Sequence, residues 1–122
     1  MKLYLDDIRD APDKSWLVCR TAPEAIRQLQ KGNVAVISLD HDLGSGQPTG
    51  YDVIKWIEKE VFTNKFKPPA IITVHSMNNV GKDNIKAAIK RIQKQVMINN
   101  LVEDYDNREP DYPDNFDQFG DN

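Results

Sequence analysis

Short apolar runs alternate along this chain with segments whose apolar residues recur at helical spacing. The three clearest runs cover residues 2–5, 34–39 and 70–74. Near-continuous apolar runs of this length suit strands of a parallel sheet, because such strands are covered on both faces. Strands that alternate with helices are joined by right-handed crossovers and build a parallel sheet with helices packed on it. The alternation therefore predicts an α/β domain.

A fourth run and three helical segments complete this pattern. Residues 16–19 are predicted to form a second short strand. The first helix is predicted to begin at Thr21, because a threonine followed three residues later by Glu24 can satisfy the free amides of a helix start. Apolar residues at helical spacing predict further helices over 51–62 and 82–98. The expected sheet therefore has about four strands.

Charge is divided unevenly along the chain. Residues 1–102 carry 15 basic and 11 acidic side chains, a net charge of +4, whereas 103–122 carry eight acidic side chains and Arg108, a net charge of −7. We expect 1–102 to be the folded domain and 103–122 to be an acidic tail, disordered or draped on the surface. An inert solubilising tail is favoured over one that competes with anionic ligands. The weakly basic body suits a phosphorylated ligand but not bulk DNA binding.

The composition also indicates where the protein works. No apolar run approaches the ~20 residues that a membrane span requires. The first ten residues lack the extended apolar region of an export signal. Cys19 is the single cysteine, so no internal disulfide can form, and it is expected to be a small buried apolar residue. A cytoplasmic protein without membrane contact is expected.

Polar residues follow three of the four predicted strands. They are Asp6 and Asp7, then Asp40, His41 and Asp42, then His75 and Ser76. Because the carboxyl ends of parallel strands meet at one rim, we expect these side chains to converge there, where α/β proteins bind ligands. Carboxylates suit Mg²⁺ or Mn²⁺, which would relieve their mutual repulsion. Histidine can transfer protons near neutral pH. Aspartates that simply form turns are the alternative interpretation.

The same residues resemble the pattern of response-regulator receiver domains, which have an acidic pair, a phosphoacceptor aspartate and a Ser/Thr after strands one, three and four. The closer resemblance is to the cyclic-phosphate-processing receiver-like family. It spans about residues 2–98 and is carried by Leu5-Asp-Asp-Ile-Arg9 with Pro12, Ser38-Leu-Asp-His-Asp-Leu-Gly44, Thr49-Gly-Tyr-Asp52 with Trp56 and Ile57, and Val74-His-Ser76 with Asn78 and Gly81.

This resemblance implies a receiver/flavodoxin-like three-layer sandwich, with a mostly parallel sheet of about four strands. It also implies processing of cyclic phosphates, in RNA repair or in nucleotide-signal conflict that includes phages. We identify no fifth strand ending in the lysine of receivers, so the fold is expected to be truncated there and phosphorelay signalling is not expected. His41 and His75 are additions to the receiver pattern.

The expected reaction is metal-dependent hydrolysis of a cyclic phosphate, carried either by a 2′,3′-cyclic RNA end or by a phosphate-bearing small molecule, a cyclic nucleotide. We assign the metal to Asp6, Asp7, Asp40 and Asp42, catalysis to Asp40, His41, His75 and Ser76, and substrate binding to Arg9, Thr49 and Asn78. Asp40 fits the main carboxylate by its place at the strand end and Asp42 by its spacing to Gly50, and this choice stays open. The aspartates beside His41 favour its charged form, which suits an acid and leaves His75 as the base or a phosphate contact.

Two other functions remain open at this point. One is a module without turnover, which would bind a nucleotide signal or a protein partner. The other is a degenerate phosphoacceptor, in which Asp40 is phosphorylated without serving a phosphorelay.

Overall fold

The computed structural model describes residues 1–108, which form a four-stranded, all-parallel sheet with three helices. In chain order the elements are β1 (Lys2–Leu5), β2 (Trp16–Cys19), α1 (Ala22–Gln30), β3 (Val36–Leu39), α2 (Gly50–Asn64), β4 (Ile71–Val74) and α3 (Asn79–Asn107). The strand order across the sheet is β2-β1-β3-β4. The predicted receiver/flavodoxin-like α/β fold is confirmed, and β1 and β2 have the predicted bounds.

The two faces of the sheet have different roles. Leu3 and Leu5 of β1 and Ile37 and Leu39 of β3 are fully buried, and they pack with apolar residues of α1, α2 and α3 in one core. The helices pack side by side, α1 on α2 and α2 on α3. Because side chains alternate along a strand, Tyr4 and the other intervening residues point to the opposite face. Asp6 and Asp40, two residues beyond Tyr4 and Ser38, continue this second face at the carboxyl ends of β1 and β3.

Side-chain caps begin the helices close to the ends of the preceding strands. Thr21 accepts a hydrogen bond from the amide of Glu24, as predicted, and begins α1. Thr49 and Asp52 form a reciprocal capping box at the start of α2. Asn78 accepts from the amide of Gly81 at the start of α3. These caps turn the chain sharply and fix the loops at the carboxyl rim of the sheet.

Helix α3 is longer than the sequence predicted, since it continues from Asn79 to Asn107 instead of ending at residue 98. Residues 103–107, assigned above to the tail, are therefore helical, and residues 109–122 lie outside the described part of the chain. The prediction stopped where the core-facing apolar residues end, but no glycine or proline interrupts residues 82–109. Asn99 of α3 also donates to the carbonyl of Val61 in α2, at 2.9 Å, and holds this part of the helix in place.

No helix within residues 1–108 is both long and apolar enough to cross a membrane. The side chain of Cys19 is almost fully buried, as predicted, and burial raises the pKa of its thiol to about 11. Cys19 therefore serves the core as a small apolar residue.

The start of α2 depends on an unusually close approach of two backbone segments. The amide of Gly50 donates to the carbonyl of His41 at 2.9 Å, and a Cβ atom on Gly50 would overlap the carbonyl of Asp40. Only glycine leaves room for this approach.

We therefore expect Gly50→Ala to lower the free energy of unfolding by about 1–3 kcal/mol, the usual cost of overpacking a rigid site. Urea denaturation measures this loss. Gly46→Ala is the matched control, because nothing lies within 4 Å of its Cβ position and only its positive φ of 72° opposes the change. A Gly50→Ala protein no less stable than Gly46→Ala would contradict the proposed close packing.

Candidate active site

Three strand ends bring potential ligand atoms together at the carboxyl rim of the sheet. One carboxylate oxygen each from Asp6 and Asp40 and one ring nitrogen of His75 all lie within 4.8 Å of one another. These residues follow β1, β3 and β4, which are adjacent in the sheet. The group combines two carboxylates with an imidazole, a donor set that suits a divalent cation.

Asp6 is the buried anchor of this group, with no exposed surface. Its Oδ1 accepts hydrogen bonds from the amides of Ile8 at 3.0 Å and Arg9 at 2.8 Å, and its Oδ2 lies 3.0 Å from Nε2 of His75. Burial alone would raise the pKa of Asp6, but these hydrogen bonds outweigh burial and hold the pKa below its ordinary value. Asp6 is therefore an ionised carboxylate that organises the loop after β1.

His75 is held by contacts on several sides. Its Nδ1 lies 2.7 Å from Oγ of Ser38, and its ring stacks on Tyr4 with centroids 4.3 Å apart and planes 6° from parallel. Both ring nitrogens therefore have a hydrogen-bond partner, Nε2 the carboxylate of Asp6 and Nδ1 the hydroxyl of Ser38. His75 is thus a fixed link between β1, β3 and β4.

Tyr4 was not predicted to belong to the site, and Ser38 was quoted only as the first residue of the family motif, without a role. A signal for both was present, because each lies two residues before a rim aspartate, Asp6 or Asp40. Residues two apart on a strand point to the same face of the sheet. The same spacing therefore places Tyr4 and Ser38 directly behind the site.

Asp40 has the least compensated charge in the group. Its pKa lies above the ordinary value, first because it is partly buried and second because the negative charge of Asp6 is close. The neighbouring His75, a hydrogen bond from Ser76 and one from the amide of His41 oppose this rise without cancelling it. Ionised Asp40 thus costs stability in the absence of a cation, and a bound cation would relieve that cost.

His41 and Asp42 form a separate group on the other side of Asp40. Nδ1 of His41 lies 2.9 Å from Oδ1 of Asp42, and Asn78 donates to the other oxygen of Asp42 at 3.3 Å. The hydrogen bond from His41 holds the pKa of Asp42 below its ordinary value. The His41 ring packs on Gly81, where a Cβ atom would overlap it. The structure therefore brings Asp40, rather than Asp42, next to Asp6 and His75.

An open cleft of about 500 Å³ lies in front of these groups. This volume is within the range of sites that bind small ligands. It is lined by Asp7, Ile8, Arg9, Asp40, Asp42, Gly44, Ser45, Ser76 and Met77. Neither His41 nor His75 lines the cleft, and each contacts a carboxylate instead, His41 that of Asp42 and His75 that of Asp6.

The remaining predicted residues have identifiable positions. The hydroxyl and amide of Thr49 are both engaged in the cap of α2, and Thr49 does not line the cleft. Asn78 caps α3 while it contacts Asp42. Arg9 lines the cleft as predicted for a substrate contact, and Ser76 lies buried beside Asp40.

Arg20 is a further residue that the sequence analysis missed. Its Nη1 donates to the carbonyl of Asp6 at 3.2 Å and to that of Arg9 at 2.7 Å. Arg20 directly follows β2, so its position after a strand end was the available signal. The guanidinium closes the loop that carries Asp7 and Arg9 and thereby fixes one wall of the cleft.

We expect Ser38→Ala to loosen His75, because it removes the hydrogen-bond partner of Nδ1. The free energy of unfolding should fall by about 1 kcal/mol, the usual value of one part-buried hydrogen bond. The ring ¹⁵N shifts of His75, which are sensitive to the hydrogen bond at Nδ1, should also change. Thr73→Ala is the control, because Thr73 lies on the same sheet face and its hydroxyl donates to the carbonyl of Ile37 instead of His75. Unchanged His75 resonances in Ser38→Ala would show that Ser38 does not position the ring.

Comparisons with known proteins agree with the motifs at this rim. No curated protein and no solved structure matches the chain significantly. The family model described as "Cyclic-phosphate processing Receiver domain" matches residues 1–91. The match includes all three strand ends of the site and the first turns of α3, and it ends before the distal half of that helix. The chain therefore belongs to the cyclic-phosphate processing receiver domain family.

Proposed function

We propose that this protein is a metal-dependent phosphoesterase that opens cyclic phosphates, either 2′,3′-cyclic RNA ends or cyclic nucleotides, in RNA repair or phage–host conflict. The observation that carries the proposal is the uncompensated Asp40 carboxylate, which faces an open cleft beside the ionised Asp6. Such a site binds a cation readily, and a cation there can hold a phosphate.

The donor set fits Mg²⁺ or Mn²⁺. Asp40 and Asp7 offer carboxylates at the cleft, and Asp6 lies close behind with His75. We assign Asp40, rather than Asp42, as the main carboxylate, since both oxygens of Asp42 already have hydrogen-bond partners in His41 and Asn78, and Asp42 lies outside the group formed by Asp6, Asp40 and His75. A bound ion would neutralise phosphate charge and lower the pKa of a bound water.

The walls of the cleft suit a nucleotide-linked phosphate. Arg9 places a guanidinium where it can pair with phosphate oxygens. Ile8 and Met77 are both largely exposed, and both line the cleft. Their apolar surfaces offer a contact for the face of a ribose or a nucleobase. This combination of acidic, basic and apolar groups supports a nucleotide or RNA end over free phosphate.

Hydrolysis of a cyclic phosphate breaks one P–O ester bond, adds water oxygen to phosphorus and transfers a proton to the leaving ribose oxygen. Direct proton transfer by the histidines has less geometric support, because neither lines the cleft and each is paired with an aspartate. We propose instead that His75 acts through Asp6, by holding that carboxylate ionised and in place. His41 acts through Asp42 in the same way.

The second candidate is a module that binds a cyclic phosphate without turnover. The position of the two histidines outside the cleft lining favours it, since a binding site needs no acid or base there. Turnover separates the two candidates. Purified protein should be tested on cyclic nucleotides and on 2′,3′-cyclic-phosphate RNA, with Mg²⁺, with Mn²⁺ and with EDTA. Full turnover in EDTA would refute the metal role, and metal-dependent binding with no turnover on any substrate would favour the module.

Once a substrate is known, the kcat of a His75 variant shows whether this side chain transfers protons directly or acts through Asp6. We expect His75→Ala to lower kcat by about 10- to 100-fold, the range typical of residues that orient metal ligands. A direct acid or base would cost about 10²- to 10⁴-fold. Thr73→Ala, on the same strand face, is the control and should keep the wild-type kcat. A loss near 10⁴-fold would restore His75 as the general base, and no loss at all would remove it from the reaction.

Stability without metal gives an independent test of the Asp40 charge. Because the pKa of Asp40 is raised in the folded state, its ionisation destabilises the fold as the pH rises through the ordinary carboxyl range towards neutrality. We therefore expect Asp40→Asn to raise the melting temperature in EDTA at pH 7. Asp42→Asn, at an aspartate with a lowered pKa, should not raise it. Mn²⁺ should stabilise the wild type but not Asp40→Asn, and the opposite order would contradict the metal assignment.

A further inference from the structure

The distal half of α3 carries an apolar surface on the side of the helix that faces away from the core. We call it the distal stripe; it consists of Met97, Ile98, Leu101, Val102 and Tyr105. Each of these side chains is between 43% and 74% exposed. A contiguous set of large exposed apolar side chains is unusual on a monomer and marks a contact surface.

The helical geometry shows that the stripe is separate from the core contact of α3. At 100° per residue, the five side chains fall within an arc of about 140°. The core contact of the same helix is formed by Ile85, Ala88 and Ile92, all buried. Its centre lies roughly 140° around the axis from that of the stripe. Helix α3 is therefore apolar on two sides, and residues 1–108 cover only one.

The end of α3 has little support from the rest of the described chain. Every residue from 100 to 108 is exposed. Val96 packs against the core, and a 4.0 Å ion pair between Glu103 and Lys67 is a weak surface contact. Short helical ends without tertiary contacts are marginally stable in water. Asn99, which donates to the carbonyl of Val61, is the last residue of α3 that is not exposed, so the helix continues two turns beyond it with the stripe uncovered by residues 1–108.

We propose that the partner is a second copy of this chain, packed through the distal stripe as an antiparallel helix pair. A two-fold axis near residue 99 places the stripe of one copy on the stripe of the other. The same patch then serves both copies, as closed two-fold dimers require. Large apolar side chains at spacings of three and four residues are the usual knobs of such helix packing.

The charges of α3 select the antiparallel orientation. Lys94 precedes the stripe, and Asp104 lies within its last turn. Both are exposed, and neither forms a salt bridge within residues 1–108. A crossing near residue 99 places Lys94 of one copy beside Asp104 of the other. A parallel pair would instead oppose lysine to lysine and aspartate to aspartate, which is unfavourable.

This dimer would leave the candidate active site accessible. The cap of α3, Asn78, contacts Asp42 at the rim, and the stripe begins about 30 Å further along the helix at 1.5 Å per residue. The two clefts of the pair therefore lie at its opposite ends. Dimerisation should change the affinity and turnover of each cleft little, so the proposal can be tested apart from the proposed function.

Light scattering of the full chain after size exclusion, together with sedimentation equilibrium, tests the proposal. We expect a dimer for the wild type and a dimer at least about tenfold weaker for Leu101→Lys, the change expected when one large apolar contact is replaced by a charge. Phe62→Lys is the control, because Phe62 is equally exposed on α2 but lies outside the stripe. Circular dichroism should show that both variants keep their fold.

Charge exchange tests the orientation. Lys94→Glu alone and Asp104→Lys alone should each weaken the dimer, and the double variant should restore it. A monomeric wild type would overturn the proposal. If amides 97–105 of such a monomer were still protected from hydrogen exchange, residues 109–122 or another segment of the same chain would be the occupant. A dimer insensitive to Leu101→Lys would also overturn it, since the contact would then lie elsewhere.

Discussion

A carboxylate buried without exposed surface, as Asp6 is, would be costly unless every oxygen had a partner. Two backbone amides and His75 supply those partners. The amides fix the loop after β1, and the imidazole fixes the end of β4, so a single charge sets the positions of two strand ends that are not adjacent in the sheet. Ser38 and Tyr4 then fix the imidazole from the sheet face behind it. The geometry of the rim depends on this ionised side chain.

The cation is proposed to bind at Asp40, whose negative charge this network leaves only partly balanced. Asp6 is ionised and fully bonded, whereas Asp40, a neighbour in the same group, is ionised at a cost. Both oxygens of Asp42 have hydrogen-bond partners in His41 and Asn78, which lower the pKa of Asp42. The excess negative charge therefore concentrates at Asp40. That asymmetry is the physical reason for placing a cation at Asp40 and for assigning the histidines to supporting positions.

Sequence patterns were sufficient for the sheet and for the convergence of the strand ends. Buried strands and helix caps are local features, and the carboxyl ends of parallel strands must share a rim. The contacts of His75 with Tyr4 and Ser38 could be predicted only with the register of the sheet in hand. The two-residue spacing of Ser38 and Asp40 did indicate that their side chains share a face. Thr49 caps α2, and the sequence alone could not distinguish this role from a contact with substrate, because a threonine after a glycine-rich loop is compatible with both. The end of α3 was misplaced because its distal apolar residues do not face the core.

The proposed function requires a cation bound by Asp40 in the cleft, and anomalous X-ray scattering from a crystal grown with Mn²⁺ tests this most directly. We expect one manganese ion within bonding distance of an Asp40 oxygen. We expect no ion at this position in an Asp40→Asn crystal grown in the same way. Manganese bound only at Asp42, or no ion at the rim in a protein that hydrolyses cyclic phosphates, would contradict it.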